Sequence, residues 1–95
     1  MALTLDEKGE LRWAVLGFLY DHQASNPWPE DALLRLLLHE RRVASTEVTR
    51  QDLREALAML QGFLFVQDVS AADPLNAMHR WIITADGVIT HERKQ

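Results

Sequence analysis

The stretch Val48-Thr49-Arg50-Gln51-Asp52-Leu53-Arg54-Glu55-Ala56-Leu57-Ala58-Met59-Leu60-Gln61-Gly62-Phe63 decides how the rest of the chain is read. Thr49 is a good N-cap, and Asp52 stands three residues on, where a capping box places its acidic partner. Leu53, Ala56, Leu57 and Leu60 recur at steps of three and four, the spacing of one buried helix face. Gly62 falls where a C-terminal cap would accept a positive φ. With the leucines inward, Arg50, Gln51 and Arg54 turn outward, together with Ala58 and Gln61.

Downstream, residues 63–69 are rich in aromatic and β-branched side chains, as a strand should be, and residues 79–84 (His-Arg-Trp-Ile-Ile-Thr) read as a second strand. The loop expected between them, residues 70–78, is too long for a two-residue hairpin. Thr84 is placed to cap a short last helix over residues 85–92. Gly87 weakens that helix by about 1 kcal/mol relative to Ala. Upstream, Pro27 and Pro29 mark residues 25–29 as a loop. A helix over residues 30–41 follows, with Glu30 and Asp31 in its first turn and His39, Arg41 and Arg42 at its other end, as the helix dipole favours. Leu33, Leu34 and Leu37 form its core stripe, widened by Leu36 and Leu38. A first helix spans about residues 5–23. Leu11, Ala14, Val15, Phe18, Leu19 and His22 make one apolar face, and Trp13, Leu16 and Tyr20 make a second.

The order helix, helix, helix, strand, loop, strand brings a resemblance with it. Val48 to Phe63 resembles the third helix and following turn of winged helix-turn-helix proteins, in which a capped helix ends in a leucine, a glycine and a large apolar residue. Trp81-Ile82-Ile83-Thr84-Ala85-Asp86-Gly87 is similar to that superfamily's closing strand and Leu-Thr-x-x-Gly turn, with Ile83 in the leucine place. The resemblance covers about residues 11–87. It implies an α+β fold, a winged helix: a three-helix bundle followed by a β-hairpin wing and a short C-terminal helix, one domain over residues 1–95. It also implies double-stranded DNA as partner, transcriptional regulation as role and a bacterial or phage source. One departure stands out. Nine residues, 41–49, separate the body of helix two from the start of helix three, where a compact helix-turn-helix uses three or four. Either helix two runs longer or the connector holds a small strand or loop.

Composition narrows the function further. The chain has 95 residues and 10.9 kDa, room for one core. Hydrophobic residues at 47% and charged residues at 25% argue against disorder. The net charge of −4 rules out an indiscriminate polyanion binder, and the absence of cysteine rules out disulfides and thiolate chemistry. The apolar runs are too short for a bilayer, and Asp6 and Glu7 interrupt any signal peptide, so a soluble, cytoplasmic protein without a membrane partner is expected. The acid surplus lies in the first half. Residues 1–48 hold eight acids against five bases, and residues 49–95 six against five.

Arginine and glutamine match guanine and adenine edges in the major groove, so Arg50, Gln51 and Arg54 are the expected base readers. Arg41, Arg42 and Arg80 are the expected phosphate contacts. The other reading of the same helix is a solvated face with Asp52 and Glu55 muting the arginines. The wing offers Asp68 and Asp73, which repel phosphate, and only His79 and Arg80 as cations. Trp13, Leu16, Tyr20 and Leu38 (or Leu36) suit an interface core, for a homodimer or another protein. The same stripe is equally explained by an N-terminal arm or C-terminal helix folding over it. Dimerisation through helix one would suit DNA binding, since two weak modules gain by effective concentration. The second functional class is therefore a protein-interaction or adaptor module that does not bind DNA. His22, His39, His79 and His91 lack metal-ligand spacing, the four glycines form no phosphate loop, and no serine has the setting of a nucleophile. No cofactor and no enzymatic activity are expected.

Overall fold

Two threonines start the two helices at the centre of the molecule. The computed structural model describes residues 3–25, 27–40, 48–69 and 80–94. Helix α1 spans Leu5–Asp21. Thr4 Oγ1 accepts from the Glu7 amide at 3.2 Å while the Glu7 carboxylate accepts from the Thr4 amide at 3.0 Å. Helix α3, Arg50–Gly62, starts the same way: Thr49 and Asp52 form the expected reciprocal box at 3.0 and 3.2 Å. Each box satisfies amides that the first helical turn leaves without partners. Helix α2, Glu30–His39, follows Pro29 directly and carries its acids in the first turn. Its last residue is His39, and Glu40 forms its C-cap, the Glu40 amide donating to the Leu36 carbonyl at 2.8 Å. Residues 41–47 of the long connector lie outside the described residues.

Three short strands complete the α+β fold. Strand β1 is Trp28–Pro29, β2 is Val66–Asp68 and β3 is Arg80–Ile83, in one antiparallel sheet of order β1-β3-β2. Reading residues 25–29 as loop missed β1. Pro29 has no N–H, yet an edge strand needs no donor on its open side. Trp28 pairs with Trp81 and Pro29 with Arg80, while Val66 opposes Ile83 and Asp68 opposes Trp81. Trp28 also sets its ring 5.2 Å from that of Phe18, edge to face, tying β1 to α1.

The second strand is shorter than residues 63–69 suggest because its first three residues close α3. The Leu64 amide donates to the Gln61 carbonyl at 2.9 Å and the Phe65 amide to the Leu60 carbonyl at 3.0 Å. This is a Schellman motif, whose left-handed position falls on Leu64 (φ 66°) and not on Gly62. The expected cap glycine instead sits inside the last helical turn.

Thr84 caps helix α4, Ala85–Lys94, accepting from the Gly87 amide at 3.1 Å. Its hydroxyl donates to the Leu64 carbonyl at 2.6 Å, and its amide donates to the Phe65 carbonyl at 3.0 Å. One residue thus joins the end of α3, the closing strand and α4.

Helix α1 packs against α2, α3, α4 and β3. That is the consequence of its apolar character on two sides. Val15, Leu16, Phe18 and Leu19 are fully buried beside Leu33 and Leu37 of α2, Leu53 and Leu57 of α3, and Val66 of β2. Among the described residues, no helix is long and apolar enough to cross a membrane.

Candidate nucleic-acid interface

The buried stripe of α3 determines where its polar residues go. Leu53, Ala56, Leu57 and Leu60 face the core, which leaves two flanks and an outer face. Arg50 and Arg54 lie on the flank toward α2. Asp52, Glu55 and Met59 lie on the flank toward α1, where they border a groove with Leu5, Lys8 and Arg12. Gln51 and Ala58 are exposed on the outer face.

Both arginines already hold carboxylates. Arg54 Nε donates to Glu30 Oε1 at 2.7 Å, and Arg50 pairs with Asp31. The two pairs differ in burial. Glu30 is 4% exposed, the one charged side chain among the buried residues described. Asp31 and Arg50 are each about half exposed, an arrangement worth roughly 0–1 kcal/mol and readily exchanged for another anion. Arg54, expected as a base reader, is thus held in an ion pair by a residue 24 positions upstream. Gln51 reaches Glu55 at 3.4 Å, a weak contact on an exposed turn. Arg80 is exposed on β3, opposite Pro29. Arg41, Arg42, His79 and the acidic tip of the wing lie outside the described residues.

The second apolar side of α1 is largely closed by the chain itself. Leu16 is fully buried. Tyr20 stacks on His91 with ring centroids 4.4 Å apart and donates its hydroxyl to Glu92 Oε1 at 3.0 Å, both from α4. Leu38 packs half-buried against the core. Of the expected partner stripe, Tyr20 is therefore covered by the C-terminal helix, the alternative the sequence equally allowed, and Leu16 is buried within the chain. Trp13, 37% exposed, keeps an outward surface. The Glu92 contact, partial burial and the negative charge of Glu92 and Asp21 raise the Tyr20 hydroxyl above its ordinary 10.0.

What the sequence did not signal is an apolar strip along the groove between α1 and α3. Leu5, Met59 and Phe63 border it and are exposed, 86% for Leu5. Arg12, Trp13, Leu16, Leu60 and Phe65 line the groove beside Phe63. Phe63 reads as strand from sequence, and period alone does not say which helix lies beside Leu5 and Met59. Among the described residues, no three His, Asp or Glu side chains gather as metal ligands. No known protein-family model matches the chain, and neither the curated proteins nor the solved structures contain a match.

Proposed function

We propose that this protein is a small winged-helix DNA-binding protein of transcriptional control, acting as a dimer through helix one. The observation that carries the reading is the pairing of β1, which lies between α1 and α2, with the second strand of the β2–β3 hairpin. That pairing ties the helices and the hairpin into one winged-helix-like layout and leaves the outer face of α3 clear of the sheet. In this reading Gln51 and Arg50 approach base edges and Arg80 meets phosphate, with Arg41 and Arg42 as further phosphate contacts. Arg50 releases Asp31 for a nucleic-acid anion at little cost, whereas Arg54 stays with Glu30 and stiffens the α2–α3 corner.

The test is anisotropy of a labelled pool of random duplexes at increasing salt. Affinity measurable at low salt and falling with a log–log slope of about −0.9 per phosphate contact supports the reading. Arg80→Ala should flatten that slope by about one contact, whereas Arg50→Ala should relax the preference among duplex sequences. Absence of binding at low ionic strength overturns it.

The second reading, an adaptor module that holds protein and not DNA, is favoured by one observation. The carboxylates of Glu30, Asp31, Asp52 and Glu55 outnumber Arg50 and Arg54 around α3. A dimer that survives in the absence of any duplex affinity would support it.

A further inference from the structure

We infer that the groove between α1 and α3 is the seat of a second copy of this chain, each α1 lying on the partner's α3. The floor is apolar, with Leu11 and Ala56 beneath the exposed side chains of Leu5 and Met59. Its banks carry opposite charge. Lys8 and Arg12 stand on the α1 side, Asp52 and Glu55 on the α3 side. Among the described residues, Lys8 and Arg12 make no ion pair. The two helices run the same way along the groove: Lys8 and Arg12 border Asp52 and Glu55, and further on Arg12 and Leu16 border Leu60 and Phe63.

These features together single out the occupant. A twofold axis running down the groove exchanges α1 and α3 between copies without reversing their direction. Lys8 and Arg12 of one copy then face Asp52 and Glu55 of the other, twice, while Leu5, Met59 and Phe63 meet across the axis. A self-complementary patch of this kind is what an isologous interface requires. The arginine flank of α3 points away from the groove, so a dimer built here leaves Arg50 exposed.

The inference rests on the dimeric part of the reading above and moves the contact from Tyr20 to the neighbouring groove between α1 and α3. Analytical ultracentrifugation from about 1 μM to 1 mM tests it, a range that brackets ordinary dimer affinities. The wild type should shift from monomer to dimer. Arg12→Glu and Glu55→Arg, each checked for wild-type helicity, should each weaken association at least tenfold, because each sets like charges against one another on both sides of the axis. Mixed in equal amounts, the two variants should associate more tightly than either does alone, since every facing pair is again opposite in sign. A wild type that stays monomeric throughout, or a mixture no better than its components, overturns the inference. A monomer that still binds duplex at low salt would leave the DNA reading standing without this interface. A dimer that binds no duplex would do the reverse.

Discussion

Arg54 Nε, on an exposed turn of α3, donates at 2.7 Å to Glu30 Oε1, the side chain of the first residue of α2, and Glu30 is almost wholly buried. The carboxylate also sits at the amino end of α2, where the helix dipole favours negative charge. The pair therefore closes the corner between the two helices, and its two members are not equivalent. Removing the arginine strands a buried anion, while removing the carboxylate charge leaves an arginine that water can solvate.

Arg54→Ala should accordingly lower stability by about 1–3 kcal/mol, the cost of leaving a buried acceptor unsatisfied. In a domain of this size that is roughly 4–8 °C of Tm per kcal/mol. Glu30→Gln should cost less, and the double variant less than the sum of the singles, read by urea denaturation. Arg50→Ala, which breaks only the half-exposed pair with Asp31, should stay within about 0.5 kcal/mol of wild type. It is thus the cleaner probe of duplex binding, and equal losses from both arginine variants would contradict this division.

Gly87→Ala should destabilise the protein despite improving helix propensity. A Cβ at Gly87 runs into the Phe65 carbonyl oxygen and comes within 2.8 Å of Ile83 Cγ1. The gain of about 1 kcal/mol from replacing glycine in a helix is small beside a backbone collision at the start of α4. Thermal melting of the variant should show a lower Tm, and a rise would mean that α4 shifts freely on the sheet.

Leu64→Gly should be neutral or stabilising by up to about 1 kcal/mol, because glycine enters the left-handed region without the Cβ clash. Leu64→Ala keeps the clash and should not share the gain. The pair separates backbone strain from loss of an exposed side chain.

Tyr20 should ionise above its ordinary 10.0, because its hydroxyl donates to Glu92 and a phenolate would lie beside that carboxylate. The folded value lies above the unfolded one, so the contribution of this contact is complete below pH 10 and is lost as pH rises through the folded value. Tyr20 is the sole tyrosine, so the ultraviolet phenolate band reports it alone. Glu92→Gln should move that titration back toward the ordinary value. An unchanged midpoint would show that α4 does not hold Tyr20 in solution.

The caps of α3, its leucine stripe, the acids opening α2 and the start of α4 at Thr84 could all be read from residues three or four positions apart. Their physics is local: a side chain meeting an amide in the same turn, or apolar groups sharing a face. The pattern did not disclose β1, since two prolines argue for loop until β3 pairs with Trp28 and Pro29. Nor did it place the left-handed residue at Leu64, because which residue ends α3 depends on Thr84 binding the Leu64 and Phe65 carbonyls from 20 and 19 positions downstream. The sequence left the stripe at Tyr20 to either a partner or a distant segment of the chain, and α4 takes it, with Glu92 reaching Tyr20 across 72 positions. The arginines of α3 looked like a basic face until the buried Glu30 claimed one of them. Sequence alone determined the helices and their N-caps, because their stabilising contacts lie within a turn. Only the tertiary structure decided which surfaces and charges remain available for a partner, because that depends on which distant segment takes them first.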